Sequence, residues 1–391
     1  MRFNVENDVL TVYLEGRIDS VSSPAVDSEI CAIIAQNTFS KIILDAEKLE
    51  YISSAGLRVV LKIRKENPSL SVKNVSSDVY EIFEMTGFSE MIEIEKAYRT
   101  ISVDGCKIIG KGAKGTVYRY NDDTIVKVYK SPDCLPDIKR ERELARRAFI
   151  LGVPTVISYD IVKVGDAYGS VFELLNAKSF SQLIAEDPDN VDKYADLAAS
   201  LLRKIHSTEV LPSDMPPVKS YISEAWVDMI RDVISADTYN KLKALVEAVP
   251  EPLKMLHCDY HTNNIMMQNG ETMIIDMDTL SYGHPIFELA TICSAFITLG
   301  CVDNTVVENF LSMPFALATK FWDIFLRKYL GTDDKDRINE VDDKVKLLSY
   351  VRLVRHTLRH GEKGSELYNK NIEVGIQNIE SLLKTVNTLE F

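Results

Sequence analysis

The sequence predicts two domains of different construction: a small α/β domain over residues 1 to about 99, then a two-lobed α+β domain from about 104 to 391. Two observations carry this expectation. The first hundred residues alternate β-branched segments with helix-period segments, whereas the chain after Ile101 is strand-rich at first and helix-rich to its end. The pattern changes over Arg99 to Asp104 without a Pro- or Gly-rich linker, so the boundary is short. With 391 residues, 46% of them hydrophobic, the chain has apolar material for two or three domain cores.

In the first domain Val9 to Leu14 has the enrichment of a strand, and Lys41 to Asp45 reads as a buried one. Between them Ser22-Ser23-Pro24 offers cap and first-turn chemistry for a helix through Ile34. A helix from Ser54, a strand near Leu70 to Val72 and a helix from Val79 to Met85 follow, and the domain closes near Met91 to Ile94. In the second domain, strands are expected around Lys107 to Ile109, Gly115 to Arg119 and Thr124 to Val128. Long helical patterns come after them.

The formal charge of −13 argues against broad binding to nucleic acid or an anionic membrane, which repel an acidic surface. Cys31, Cys106, Cys134, Cys258, Cys293 and Cys301 are scattered without C-x-x-C spacing. That pattern fits a reducing cytoplasm better than a disulfide framework or a zinc cluster. The N-terminus lacks the apolar core of a signal peptide, and the apolar window from Phe287 is too short to span a bilayer, so a core helix is expected there.

Gly110, Gly112 and Gly115 form a G-x-G-x-x-G that runs into a further strand rather than a helix. A dinucleotide loop should open a helix, so this arrangement reads instead as a kinase-type flap over phosphates. Lys127 sits in the apolar strand that follows, where an ammonium group is costly unless paired. Its partner should be Glu141 or Glu143, which lie on different helical faces, and Glu141 is favoured.

The segment Leu256-His257-Cys258-Asp259-Tyr260-His261-Thr262-Asn263-Asn264 precedes an apolar strand ending at Asp276. Phosphoryl transfer needs a group to orient the acceptor hydroxyl and oxygen ligands for magnesium. Asp259 would orient or deprotonate the hydroxyl, while Asn264 and Asp276 would ligate the metal and His257 would support the loop. Cys258 reads as a packed small residue rather than a nucleophile.

These motifs resemble the aminoglycoside phosphotransferases and choline kinase-like enzymes, which share the protein-kinase fold. The H-x-D-x-x-x-x-N pattern is matched by His257, Asp259 and Asn264, and the metal-binding aspartate by Asp276. The resemblance covers about residues 104 to 391, with an N-lobe to about 175 and a C-lobe from about 176. It implies ATP and magnesium as cofactors, with Phe172 to Leu175 as a hinge whose backbone at Glu173 and Leu175 would hold adenine. Glu288 stands where the family's G-x-P-x-x-D-L-A has aspartate, and no A-P-E segment of an ordinary protein kinase follows Asp276.

Residues 1 to about 99 resemble the STAS domains of anti-sigma factor antagonists, through Gly16-Arg17-Ile18-Asp19 and Leu49 to Leu57. Aligned on Gly56, Ser54 takes the place of the serine that partner kinases phosphorylate in bacterial members, and Ser53 replaces their aspartate. A serine before a helix is equally a preferred N-cap. A phosphate at that position would meet unsatisfied backbone N–H groups and the positive helix end.

The expected activity is ATP- and magnesium-dependent transfer of the γ-phosphate to a small-molecule hydroxyl, in a cytoplasmic protein whose STAS domain regulates it or binds a protein partner. Neither nucleic acid nor a membrane is an expected partner. One alternative is a protein serine kinase-like regulator acting on Ser54 or on a partner's STAS serine, and another is a non-catalytic nucleotide sensor. His206, at the end of a helical run, is expected to be structural or to support the catalytic loop. Arg352, Arg355, His356 and Arg359 share one helical face that reads as solvated, or as a dock for an acidic partner or phosphate.

Overall fold

A computed structural model describes residues 1–112 and 114–391, so Ala113 of the glycine segment lies outside the described residues. The chain divides into two compact units, Met1–Asp104 with Ile161–Gly169, and Gly105–Asp160 with Ser170–Phe391. Ile161–Gly169 groups with the first unit as Arg99 and Thr100 pair in parallel with Val162 and Lys163.

The first unit comprises β1 (Phe3–Glu6), β2 (Val9–Ile18), α1 (Ser23–Gln36), β3 (Lys41–Ile52), α2 (Ser54–Glu66), β4 (Ser71–Val75), α3 (Ser77–Met85), α4 (Phe88–Met91), β5 (Glu93–Lys96) and β6 (Arg99–Thr100). Its five-stranded sheet runs β1-β2-β3-β4-β5, with β1 antiparallel to β2 and the other neighbours parallel. Alternate residues of β2 (Leu10, Val12, Leu14) and β3 (Ile42, Leu44, Ala46) are at most 1% exposed, so one face of the pleat forms the core. Helix α2 covers that core with Leu57, Val60 and Ile63. Strands β2 and β3 are longer than expected, and Gly16 to Ile18 complete β2 rather than follow it. Ser22 does not cap α1 through its side chain; its hydroxyl accepts from the Asp19 amide (2.9 Å) and donates to the Arg17 carbonyl (2.9 Å).

The second unit begins with the antiparallel ladder of β7 (Lys107–Lys111), β8 (Gly115–Arg119) and β9 (Thr124–Tyr129), backed by α5 (Leu135–Ile150). Strand β10 (Asp160–Val164) lies almost wholly in the stretch grouped with the first unit, and β11 (Ala167–Glu173) runs from that stretch into the second unit at Ser170. The chain then forms β12 (Lys178–Ser179), α6 (Phe180–Glu186), α7 (Val191–Ser207), α8 (Val218–Ile222) and α9 (Ala236–Ala248). Four short strands, β13 (Met255–Leu256), β14 (Ile265–Gln268), β15 (Glu271–Ile274) and β16 (Ser281–Tyr282), pair as β13 with β16 and β14 with β15. Helices α10 (Pro285–Phe296), α11 (Asn304–Leu311), α12 (Phe315–Leu330), α13 (Lys335–His360) and α14 (Glu366–Leu382) complete it.

The core of this unit is helical, with Phe296 stacked on Phe321 at 4.8 Å and Trp322 and Phe325 beside them. Tyr260 is anchored to this core by a hydrogen bond from its hydroxyl to the Ala198 carbonyl of α7 (2.6 Å). The apolar window from Phe287 lies in α10 and is buried nearly throughout. No helix among the described residues is long and apolar enough to cross a membrane.

Candidate active site

Strand β9 carries Lys127 with its side chain 17% exposed, and two carboxylates close on the ammonium group. Lys127 Nζ donates to Glu141 Oε1 (2.9 Å) and to Asp276 Oδ1 (3.1 Å). Burial alone would lower the amine's pKa, but the charges of Asp276 and then Glu141 outweigh it and raise the group above its ordinary range. Glu141 faces inward from α5, and its other oxygen accepts from the Tyr129 hydroxyl (2.9 Å). Glu143, two residues on and therefore about 200° around the helix, points out and accepts from Arg147 (2.9 Å).

The glycines open and close the β7–β8 hairpin. A Cβ on Gly115 would lie 2.4 Å from the Val128 carbonyl oxygen, so its close approach to β9 admits no side chain. A Cβ on Gly112 would meet nothing nearer than 3.9 Å, and the structure places no packing demand on that position. Lys130 steadies the turn by donating to the Gly112 carbonyl (2.9 Å). Lys114 in the same turn is ion-paired with Asp278.

Strand β13 delivers His257, Cys258 and Asp259. The fully buried His257 ring contacts the Ile275 carbonyl through Nε2 (3.1 Å) and the Asp259 amide through Nδ1 (3.3 Å). A carbonyl can only accept and an amide N–H only donate, so these partners assign the proton to Nε2. His257 therefore ties the residue carrying the loop carboxylate to the residue before Asp276. Cys258 holds a left-handed φ of 65°, a conformation that costs a residue without special tolerance about 1–3 kcal/mol. Glu288 of α10, 0% exposed, stabilises it: its two oxygens accept from the His257 and Cys258 amides, both at 2.9 Å. His206 Nε2 lies 2.8 Å from the same carboxylate and His206 Nδ1 2.7 Å from the Tyr329 hydroxyl of α12. The longer acid at position 288 thus supports the loop, as His206 does behind it. Burial, then the charges of Glu288 and Asp259, push the Cys258 thiol well up, which leaves it inert as a nucleophile.

Asp259 is 41% exposed at its side chain, with His261 Nε2 3.6 Å from one oxygen. Its partial burial works to raise the carboxyl, but His261, then His257 and Arg352, hold it at about 2. A carboxylate so acidic is a weak base and a good hydrogen-bond acceptor, fitted to orienting a hydroxyl. Asn264 Nδ2 donates to the Asp259 carbonyl (2.9 Å), and the Ile275 amide donates to the Asn264 carbonyl (3.0 Å). The loop and the strand end are thereby fastened together.

Asp276 also adopts a left-handed φ of 65°, which turns the chain sharply after β15. Ligand oxygens of Glu141, Asp276 and Asp278 lie within 4.8 Å of one another. Both Glu141 oxygens are engaged by Lys127 and Tyr129. Among the described residues, Asp276 Oδ2 and Asn264 Oδ1 receive no donor, which fits these two groups, with Asp278, to a hard divalent cation. Asp278 was not anticipated as a site residue, although its spacing two residues after Asp276 was a usable signal. At the end of β11, the Leu174 amide is taken by the Asp123 carbonyl (2.8 Å), whereas the Leu175 amide, two residues after Glu173, has no partner among the described residues.

In the first unit the two serines divide their roles. Ser53 is the N-cap of α2, accepting from the Ala55 (3.2 Å) and Gly56 (3.4 Å) amides. Ser54 is the first helical residue and is exposed. The amides expected to await a phosphate already have Ser53 as their partner.

Comparison with known proteins follows the same division. Residues 105–309 match the model of the phosphotransferase enzyme family, and residues 1–102 match the STAS domain. BtrV of Bordetella bronchiseptica, described as an anti-sigma factor antagonist, is 31% identical over 90 residues, 22% of this chain and 77% of that protein. The anti-sigma-B factor antagonist of Bacillus subtilis is 29% identical over 93 residues, 23% of this chain and 83% of that one. Among solved structures, ADP-bound aminoglycoside phosphotransferase APH(2'')-Ib aligns with a TM-score of 0.48 at 14% identity, covering 78% of this chain and 98% of the other. A choline/ethanolamine kinase family protein from Mesorhizobium loti aligns at 0.47 and 14%, covering 72% and 88%.

Proposed function

This chain belongs to the phosphotransferase enzyme family and carries an N-terminal STAS domain, and on that premise we propose that it transfers the γ-phosphate of ATP to the hydroxyl of a small molecule. The observation that carries the proposal is the convergence of Lys127, Glu141 and Asp276 from three separate elements, at 2.9 and 3.1 Å, beside a loop that fixes Asp259. In this reading Lys127, held by Glu141, orients the nucleotide phosphates, and Gly112 lets the hairpin backbone approach them. Asp276, Asp278 and Asn264 would hold magnesium, which when bound neutralises charge on the transferring group. The Leu175 amide offers adenine a donor. Asp259 accepts the hydrogen bond of the acceptor hydroxyl; that oxygen forms the new P–O bond as the bond to ADP breaks, and the proton passes by way of Asp259 to solvent.

Calorimetric titration tests the reading. Wild type should bind ATP more tightly with magnesium than without, and Asp276→Ala should lose roughly 10-fold or more in affinity together with the metal dependence. Unchanged affinity and metal dependence in that variant would remove the assignment.

The STAS domain is proposed as a partner-binding and regulatory module, with Ser54 as its phospho-acceptor. The supporting observation is that Ser53 does the capping, which leaves Ser54 exposed and structurally dispensable. Radiolabel from ATP and a cognate kinase should appear on wild type and vanish in Ser54→Ala; equal labelling of both would exclude the site.

A further inference from the structure

Helix α13 presents a set of arginines that the phosphotransfer chemistry leaves unexplained. Their helical spacing suggested a solvated face, but Arg355 is only 8% exposed. Its Nε donates to the Ala225 carbonyl (2.7 Å) and its Nη2 to the Tyr221 hydroxyl (3.0 Å), fastening α13 to the segment that carries Trp226. One turn earlier, Arg352 lies over the Trp226 ring with Cζ 5.9 Å from its centre.

Arg352 is half-buried, yet its five N–H donors have no hydrogen-bond or ion-pair partner among the described residues. The Trp226 indole N–H beneath it, on a side chain 2% exposed, also lacks an acceptor. Neither Arg352 nor Arg355 has an acidic partner within salt-bridge distance among the described residues, in a chain with 58 acids against 45 Lys and Arg. The acid whose field reaches Arg352 is Asp259. A guanidinium withdrawn from water and left unpaired is costly, and a planar fork of donors matches a carboxylate or phosphate.

We propose that Arg352, braced on Trp226 and backed by Arg355, binds an anionic group of the acceptor, so that the substrate whose hydroxyl Asp259 orients is a small hydroxylated carboxylate or phosphate ester. This rests on the phosphotransferase reading above. A polycationic acceptor would meet like charge here, and a neutral polyol, whose hydroxyls accept hydrogen bonds, would still leave the guanidinium charge uncompensated.

The test is an initial-rate screen of the full chain with Mg-ATP, following ADP release. Each anion is set against its neutral twin, glycerate against glycerol and glucose 6-phosphate against glucose, with kanamycin and choline as cationic arms. The expected result is turnover of an anionic member at a kcat/KM at least about 10-fold above its twin; the two pairs tell carboxylate from phosphate. Arg352→Gln should raise the KM for that acceptor roughly 10- to 100-fold while the KM for ATP stays put, and Arg352→Lys should fall between. An unmoved ATP KM also shows that the variant has folded. Preference for a neutral or cationic member, an acceptor KM unchanged in Arg352→Gln, or no turnover of either anion while Mg-ATP still binds would each overturn the proposal. Failure of wild type to bind Mg-ATP would instead overturn the phosphotransferase reading on which it stands.

Discussion

Replacing Glu288 by Gln should uncouple the catalytic loop from the helical core. The carboxylate accepts from two backbone amides at 2.9 Å and lies 2.8 Å from His206. Hydrogen bonds to a charged group contribute about 1.5–3 kcal/mol each. Glutamine keeps one acceptor oxygen and turns an NH2 toward the second amide, so the substitution should cost about 2–4 kcal/mol. That loss is comparable with the strain of about 1–3 kcal/mol held at Cys258, so the loop can relax to an ordinary φ and carry Asp259 out of register. Misplacement by about 1 Å can reduce a rate by about 10²-fold. Mg-ATP turnover should fall by that order, and the melting temperature of the larger unit by roughly 5–10 °C. Glu288→Asp keeps the charge but falls short by one bond of about 1.5 Å, and should sit between. Turnover within threefold of wild type in Glu288→Gln, with an unchanged melting temperature, would refute the latch.

In the first unit, a Cβ on Gly56 would lie 2.7 Å from side-chain carbons of both Ile18 and Ile52 and 2.9 Å from the Ile18 carbonyl oxygen. Gly56→Ala should therefore destabilise that unit by about 1–3 kcal/mol in urea unfolding, and a change below half a unit would show the sheet yields. Ser53→Ala should cost about 1 kcal/mol through loss of the cap, while Ser54→Ala should be nearly neutral; the reverse ranking would misplace the cap. His284, 9% exposed, is lowered to about 4 by burial first and then by the charges of His206 and Lys344. Folding favours its neutral ring, so its contribution is intact above the ordinary 6.5 and is lost as the pH falls toward 4, about 3 kcal/mol in all. His284→Asn should flatten the stability profile between those values, and an identical profile would assign the acid sensitivity elsewhere.

The fold was legible wherever a buried face left a period in the sequence. Strands β2 and β3 show alternation, and α2 shows its Leu57, Val60 and Ile63 stripe. Strand β1 escaped notice since all four of its residues are exposed, although Asn7 and Asp8, both at positive φ, mark the hairpin that makes it. Strand ends were also hidden, because the pairing that carries β3 to Ile52 depends on a neighbour distant in sequence. At the site, Lys127, Asp259, Asn264 and Asp276 stood out by residue type and spacing. The choice of Glu141 over Glu143 as the residue meeting Lys127 needed the helix phase, which tertiary packing sets. Asp278 left a usable signal in its spacing from Asp276, whereas the unpaired state of Arg352 was not legible, since an unmet donor is a property of what surrounds a residue and leaves no trace in local sequence.

Mass spectrometry of wild type incubated with ATP, magnesium and an extract of small metabolites addresses the central claim most directly. Phosphoryl transfer to a small molecule predicts a metabolite one phosphate heavier, absent with Asp276→Ala, and a protein mass that does not change. A phosphate gained by the protein with no phosphorylated metabolite would place the acceptor hydroxyl on the chain itself, contrary to the proposed function.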